Sequence, residues 1–253
     1  MPRINRRLLV GVACLLAVAA GAPAGPKRVP PAEVKTGQYA QVLETEATNV
    51  GRIEYWLYIP ADYAGAKGPL PLVVFLHGLG VRAPEIEKVK KHGPPKLIAR
   101  GKPFPFICIS PQCPAKSWWP TETKALVALL DEIEAKYNVD KDRVYLTGLS
   151  MGGFGTWALA LDQPRRFAAI APICGKGDPG KVARIKHVPT WVFHGAKDQT
   201  VPLKASEEMV EALKAAGATP KFTVYPDAGH NSWTATYSNP DFWKWLLAQR
   251  RKK

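Results

Sequence analysis

The chain has 253 residues, 46% of them hydrophobic, and its 35 lysines and arginines against 21 acids give a net charge of +14. That hydrophobic share supplies a substantial core for one large domain or two small ones and excludes global disorder. The basic residues are dispersed apart from a cluster at 82–102 and the end Arg250-Arg251-Lys252-Lys253; with no nucleic-acid motif beside them, a soluble basic surface is the simpler account than a nucleic-acid partner.

Arg3, Arg6 and Arg7 precede an uncharged apolar run, Leu8 to Ala20, and then the small-x-small pattern Ala22-Pro23-Ala24. This order predicts a secretory signal peptide over residues 1–24 and an exported protein, periplasmic or extracellular. The run is too short to span a bilayer comfortably, so no stable membrane anchor is expected. Cys14 is a poor lipid-attachment site, because Gly11 fits badly and the apolar run continues past it. Removing residues 1–24 takes three arginines and no acids and leaves +11. Residues 25–37, rich in Pro, Gly and Lys, read as a linker, 38–250 as one domain and 251–253 as a basic tail. Cys108, Cys113 and Cys174 remain, with neither a CxxC pair nor metal-ligand spacing, so no metal is expected. Cys113 and Cys174 both follow strands, and export would permit a bridge between them.

Tyr39–Thr48 and Ile53–Pro60 are strand candidates joined by a hairpin at Asn49-Val50-Gly51. Leu72–Leu76, a short apolar run between Pro71 and Gly78, reads as a buried parallel strand. Helical fragments in 83–100 are broken by Gly93-Pro94-Pro95, and Phe104–Ile109 is the next strand. Leu126, Leu129, Leu130, Ile133 and Tyr137 fall at helical spacing, and Asn138–Arg143 reads as a polar connection. A strand from Val144 then turns into a helix over Phe154–Leu161. Phe167–Ile173, Thr190–Phe193 and Phe222–Tyr225 are further strands, with helices at 203–216 and Asn239–Gln249. The alternation predicts an α/β fold: a mostly parallel sheet of about eight strands with helices on both faces. Ligands bind at the carboxyl ends of such strands, and His77-Gly78, Gln112, Ser150, Asp198 and His230 all stand there.

Gly148-Leu149-Ser150-Met151-Gly152 is a Gly-x-Ser-x-Gly corner between a strand and a helix. The turn projects the serine hydroxyl, the helix behind it aims N–H groups at the same spot, and the glycines keep Cβ atoms out of a crowded bend. A serine needs a base, and the base needs an orienting carboxylate. The order Ser150, Asp198, His230 supplies nucleophile, orienter and general base. Asp198 could instead cap a helix, and Asp227 is an alternative acid, although it sits only three residues before His230 on the same loop. The oxyanion would be held by the backbone N–H of Met151 and by one from the loop after Leu72–Leu76, at Leu79. His77 reads as a structural hydrogen-bonder. Trp118, Trp119, Gln112 and Trp233 are candidates for substrate contact, with core packing or loop support equally good accounts of the first three. His92, His187 and His194 are given no chemical role, and the glycines at 148–155 lack a cofactor-binding pattern, so no cofactor is expected.

Leu57-Tyr58-Ile59-Pro60, Pro71 through Gly78, Ser110-Pro111-Gln112-Cys113, Gly148 through Gly153, His194-Gly195-Ala196-Lys197-Asp198 and Gly229-His230 together resemble secreted α/β-hydrolases. The resemblance is nearest to the phospholipase/carboxylesterase-like and "predicted peptidase" group, similar to feruloyl esterases and polyhydroxybutyrate depolymerases. It covers about residues 38–250 and implies the same triad and oxyanion donors. Dienelactone hydrolases, a neighbouring group, carry cysteine at the elbow; the serine here sets that activity aside. Cys174–Pro189 is too short for a cap domain, which predicts an open site suited to bulky or polymer-attached esters, and the expected partner is a small-molecule or polymer-attached ester substrate. The expected function is a secreted serine hydrolase cleaving carboxylic esters through an acyl-enzyme. A serine peptidase of the same fold is the alternative; a non-catalytic binding protein would have lost a triad member, and none is lost. No feature of the sequence sets an oligomeric state.

Overall fold

The computed structural model describes residues 28–48 and 51–251. The predicted signal segment, Cys14, the hairpin corner at Asn49-Val50 and the last two lysines lie outside the described residues. Eight strands form one sheet: β1 (Gly37–Glu44), β2 (Arg52–Ile59), β3 (Leu70–Leu76), β4 (Ile107–Pro111), β5 (Val139–Leu149), β6 (Ala169–Ile173), β7 (Trp191–Gly195) and β8 (Lys221–Tyr225). Their spatial order is β1-β2-β4-β3-β5-β6-β7-β8. β2 pairs antiparallel with β1 and β4, and every other pairing is parallel. The carboxyl ends of β3 to β8 therefore share one edge, as the apolar β3 and β5 runs require of strands buried on both sides.

Six helices cover the two faces: α1 (Gly93–Ala99), α2 (Thr123–Lys136), α3 (Met151–Asp162), α4 (Lys204–Ala215), α5 (Trp233–Ser238) and α6 (Pro240–Ala248). α2, α3 and α4 pack Leu126, Leu129, Ile133, Trp157, Met209 and Leu213 on one face, against Leu72, Val74, Leu146 and Val192. α1, α5 and α6 pack Ile98, Tyr237, Phe242 and Leu246 on the other, against Val73, Phe75, Tyr145 and Phe193. Strand residues alternate between the two clusters because successive side chains point to opposite faces. The 174–189 connection carries only a 3-10 segment, Pro179–Ile185.

The structure departs from the sequence reading in several places, among them β4, which spans Ile107–Pro111 and not Phe104–Ile109, and β1, which starts at Gly37 in the expected linker. Asn138–Arg143 is not a loop connection: β5 begins at Val139, which pairs with Leu70 across a register shift. Its polar residues are held by ion pairs, Asp140 with Arg143 at 2.7 Å and Asp142 with Arg251 at 2.9 Å. That second pair docks the start of the expected basic tail on the body. α5 is an extra helix, and its six residues are too few to display a 3.6-residue period. Finally, the cysteines are not bridged. Cys113 packs in the cluster on one face of the sheet and Cys174 in the cluster on the other, and all three described cysteines are free and buried.

A thiol titration checks this arrangement. A chain lacking residues 1–24 is expected to show three reactive thiols in denaturant without reductant and almost none when native, since burial pushes each thiol up to about 12. One reactive thiol in denaturant, rising to three on reduction, would contradict it.

Candidate active site

The corner after β5 is the tightest part of the molecule. Ser150 has φ 54° and ψ −120°, a backbone conformation that side-chain-bearing residues avoid at a cost of roughly 1–3 kcal/mol. Packing imposes it. A Cβ on Gly152 would lie 1.9 Å from Leu76 O, and one on Gly148 would lie 2.4 Å from Gly152 O. The start of α3 is thus pressed against the ends of β3 and β5, closer than any side chain permits. Ser150 N–H donates to Ile173 O at 2.9 Å, and Phe154 N–H donates to Ser150 O at 3.0 Å, which tie both sides of the corner down. Cys174, next along from Ile173, shares the left-handed backbone with φ 41°, and its N–H donates to Phe193 O at 2.9 Å.

Three side chains from three strand ends meet above this corner. Ser150 Oγ is 2.8 Å from His230 Nε2, and His230 Nδ1 is 2.7 Å from Asp198 Oδ2. An ionised carboxylate only accepts, so Nδ1 carries hydrogen and, in the neutral ring, Nε2 accepts from the Ser150 hydroxyl. Asp198 Oδ1 accepts from the amides of Thr200 at 2.8 Å and Val201 at 2.9 Å. Burial alone would raise the Asp198 pKa; the bond from His230, the two amides and the nearby imidazole outweigh it and hold the carboxyl below its ordinary value. Asp227, the alternative acid, is exposed and pairs with Lys197 at 2.8 Å instead.

The predicted oxyanion donors occupy matching positions. Met151 is the first residue of α3 and Leu79 the first of a 3-10 turn, so neither N–H has a partner within its own helix. Neither donates to another backbone carbonyl among the described residues. The loop is brought to Ser150 by Gly78, whose added Cβ would lie 2.9 Å from Leu149 Cδ1 and 3.7 Å from Ser150 Cβ. His77 underpins this loop. Its Nδ1–H donates to Gly78 O at 2.7 Å, its Nε2 accepts from Cys113 N–H at 3.0 Å, and its carbonyl accepts from Trp119 Nε1 at 2.9 Å. Burial lowers its pKa to about 4 against a bond to Gly78 that raises it, so the ring is neutral at neutral pH.

Two predicted substrate contacts are structural. Trp119 is wholly buried beneath the His77 loop, where its indole packs edge-on to His77. Gln112 is buried, and its Nε2 donates to Val81 O at 2.9 Å and Glu85 O at 2.8 Å, tying the loop after β3 together. Trp118 and Trp233 are half-buried beside the site. Trp118 meets Phe154 of α3 edge-on at 5.3 Å, and Trp233 meets His230 edge-on at 5.3 Å. A groove of about 390 Å³ runs along α3, lined by Phe154, Ala158 and Leu161 and by the charged Asp162, Lys176 and Asp178. The sequence reading missed Phe154, whose signal is its place one helical turn after Ser150. It also missed Cys174, which only the fold brings near. Cys174, Asp198 and His230 place ligand-type atoms within 4.8 Å of one another, but the Asp and His atoms are engaged with each other and burial keeps the thiol protonated.

Parallel order, strained serine corner and the Ser–His–Asp convergence define the α/β-hydrolase class. Comparison with known proteins narrows this. The model of the "Dienelactone hydrolase family" matches residues 111–240. A Salmonella typhimurium protein named "Putative carboxymethylenebutenolidase" is 34% identical over 228 residues, covering 75% of this chain and 81% of its own. "Probable feruloyl esterase C" of Aspergillus niger is 26% identical over 187 residues, covering 72% and 69%. A solved thermostable esterase superposes with a TM-score of 0.75 at 34% identity, over 85% of this chain and 63% of its own, so this chain spans under two thirds of that protein. The chain belongs to the dienelactone hydrolase family and is a hydrolase of that family.

The His77 ring gives a pH prediction. Unfolded, it titrates near 6.5, and folded near 4. The folded state carries no penalty from this ring above pH 6.5; the loss of stability grows as pH falls towards 4 and amounts to about 3 kcal/mol there. Urea unfolding from pH 7 to 4 should show wild type losing stability relative to His77→Gln by that order. Parallel curves for the two proteins would contradict it.

Proposed function

We propose that this protein is an exported serine carboxylesterase acting through an acyl-enzyme. The observation that carries the reading is the unbroken pair of contacts from Ser150 Oγ to His230 Nε2 and from His230 Nδ1 to Asp198 Oδ2, built on a strained elbow. In this account Ser150 Oγ attacks the ester carbonyl carbon while His230 Nε2 takes its proton. The oxyanion so formed is stabilised by the N–H groups of Met151 and Leu79. The tetrahedral species collapses, the C–O bond to the alcohol breaks, and the alcohol leaves with the proton from His230. Water then attacks the acyl-enzyme with His230 again as base, releasing the acid and restoring Ser150. Asp198 keeps Nδ1 protonated throughout and stabilises the imidazolium.

The substrate class follows from the surroundings. The short 174–189 connection leaves Leu79 48% exposed and the groove along α3 open, which suits carbohydrate-linked or polymer-attached esters as well as small ones. Trp118 with Phe154, and Trp233 beside His230, are apolar walls for the acyl and alcohol parts. The export reading rests on the residue pattern of 1–24.

The test is turnover of nitrophenyl esters, methyl ferulate, acetylated xylan and aminoacyl amides by wild type and Ser150→Ala. Ester turnover that disappears in Ser150→Ala is expected; its survival, or amide cleavage faster than ester cleavage, would contradict the reading. Asp198→Asn should lower kcat by about 10⁴-fold, and Asp227→Asn should leave it within about two-fold, as for loss of an exposed pair. The reverse ranking would move the acid to Asp227.

A further inference from the structure

His194 lies on β7 and is wholly buried. Its Nδ1 is 2.7 Å from Ser206 Oγ on α4. Its Nε2 is 2.9 Å from Val201 O and 3.2 Å from Asp198 Oδ2. Two acceptors face Nε2, so that nitrogen carries a hydrogen, and the Ser206 hydroxyl, which can donate or accept, is the partner of Nδ1. The hydrogen is donated to Val201 O, and the Asp198 oxygen stands beside the same N–H dipole.

A buried imidazole with both nitrogens satisfied is ordinarily core packing. Two contacts set this one apart. The carbonyl it holds belongs to Val201, whose N–H donates to Asp198 Oδ1 at 2.9 Å. The carboxylate oxygen it faces, Oδ2, is the one that accepts from His230 at 2.7 Å. One ring is therefore coupled to both oxygens of Asp198, through the turn on one side and across space on the other.

We propose that His194 is a positioning residue for the Ser150–His230–Asp198 relay, fixing the Asp198 rotamer that meets His230 and moderating the negative charge on Oδ2. The inference rests on the reading of that relay as the reacting one. Two consequences separate it from packing. Loss of the N–H loosens Asp198 without touching substrate, so kcat falls and KM does not. It also leaves Oδ2 more negative, which favours the His230 imidazolium and moves the acid limb of kcat/KM to higher pH. The Cys174 thiol, kept protonated by burial, stands within 4.8 Å of the ligand atoms of this pair, the exposed Lys197–Asp227 ion pair joins the loops that carry Asp198 and His230, and His92 lies beyond Trp233 and accepts from its Nε1 at 3.3 Å. None of these is altered in the variants below.

The experiment measures kcat, KM and the pH profile of ester turnover for wild type, His194→Gln, His194→Met, Ser206→Ala and Ser150→Ala. Gln keeps a donor near Nε2 and should stay within about three-fold of wild type, with its acid limb in place. Met fills the space without a donor; kcat should fall on the order of 10- to 100-fold, with KM within about two-fold and the acid limb moved to higher pH. Ser206→Ala, which frees the ring at Nδ1, should move kcat and the limb in the same direction by less, and decides the matter if the Met variant does not fold. Wild-type kcat and acid limb in Met and Ser206→Ala variants would overturn the proposal. So would equal losses in Gln and Met with an unmoved limb, the signature of packing alone. An active Ser150→Ala would instead overturn the relay reading, whereas an inactive Ser150→Ala beside unaffected His194 variants overturns only this inference.

Discussion

The close approach of α3 to the ends of β3 and β5 sets everything else at the site. Where Gly152 meets Leu76 O no Cβ fits, and the chain can reach that packing only by turning at Ser150 with φ 54°. The strain, of order 1–3 kcal/mol, is small against the burial of α3, whose Met151 and Leu159 side chains are enclosed. A fully buried side chain of that size contributes roughly 1.5–3 kcal/mol, so two of them offset the elbow. The strained conformation is stable because the core over-determines it, and the serine is presented as a by-product of helix packing.

The neighbouring loops inherit their positions from the same contact. Leu76 O, which crowds Gly152, belongs to the strand that ends in His77-Gly78-Leu79. The helix that presents Ser150 and the loop that presents the Leu79 amide are thus braced against one another. His77 stiffens this from beneath with its two ring nitrogens and its carbonyl all engaged. On the other side, Ile173 O holds the Ser150 amide, and the chain then runs through Cys174 to the β7 edge, where Asp198 follows. Donors for a developing charge and a base for the hydroxyl are consequently fixed before any ligand arrives, which is what electrostatic preorganisation requires.

Much of this was legible in the residues because local and tertiary demands agree. The central strands β3, β4, β6 and β7 and the second half of β5 are apolar runs of the right length, and Ser150, Asp198 and His230 each fall just past a strand, where a parallel sheet collects its ligands. What escaped is what depends on three-dimensional neighbours. Trp119 and Gln112 have the residue types and strand-end placement of substrate contacts, yet their polar atoms are taken up by carbonyls of the loop between β3 and α1. Nothing in the chain near Cys113 and Cys174 says that the sheet lies between them. β5 extends through Asp140–Arg143, where Val139 pairs with Leu70 and the sequence-distant Arg250 and Arg251 pair with Asp140 and Asp142, contacts that no window of sequence contains. His194 was passed over for the same reason: its neighbours Ser206, Val201 and Asp198 come together only in the fold.

The account turns on Ser150 becoming covalently acylated. Rapid mixing with a slowly deacylating aryl ester, acid quench and intact-mass analysis followed by peptide mapping addresses this directly. The account predicts one acyl group per chain, on the peptide carrying Ser150, appearing with a burst of released alcohol and disappearing as acid is formed. Steady ester turnover with no adduct, or an adduct on Cys174 in place of Ser150, would contradict it.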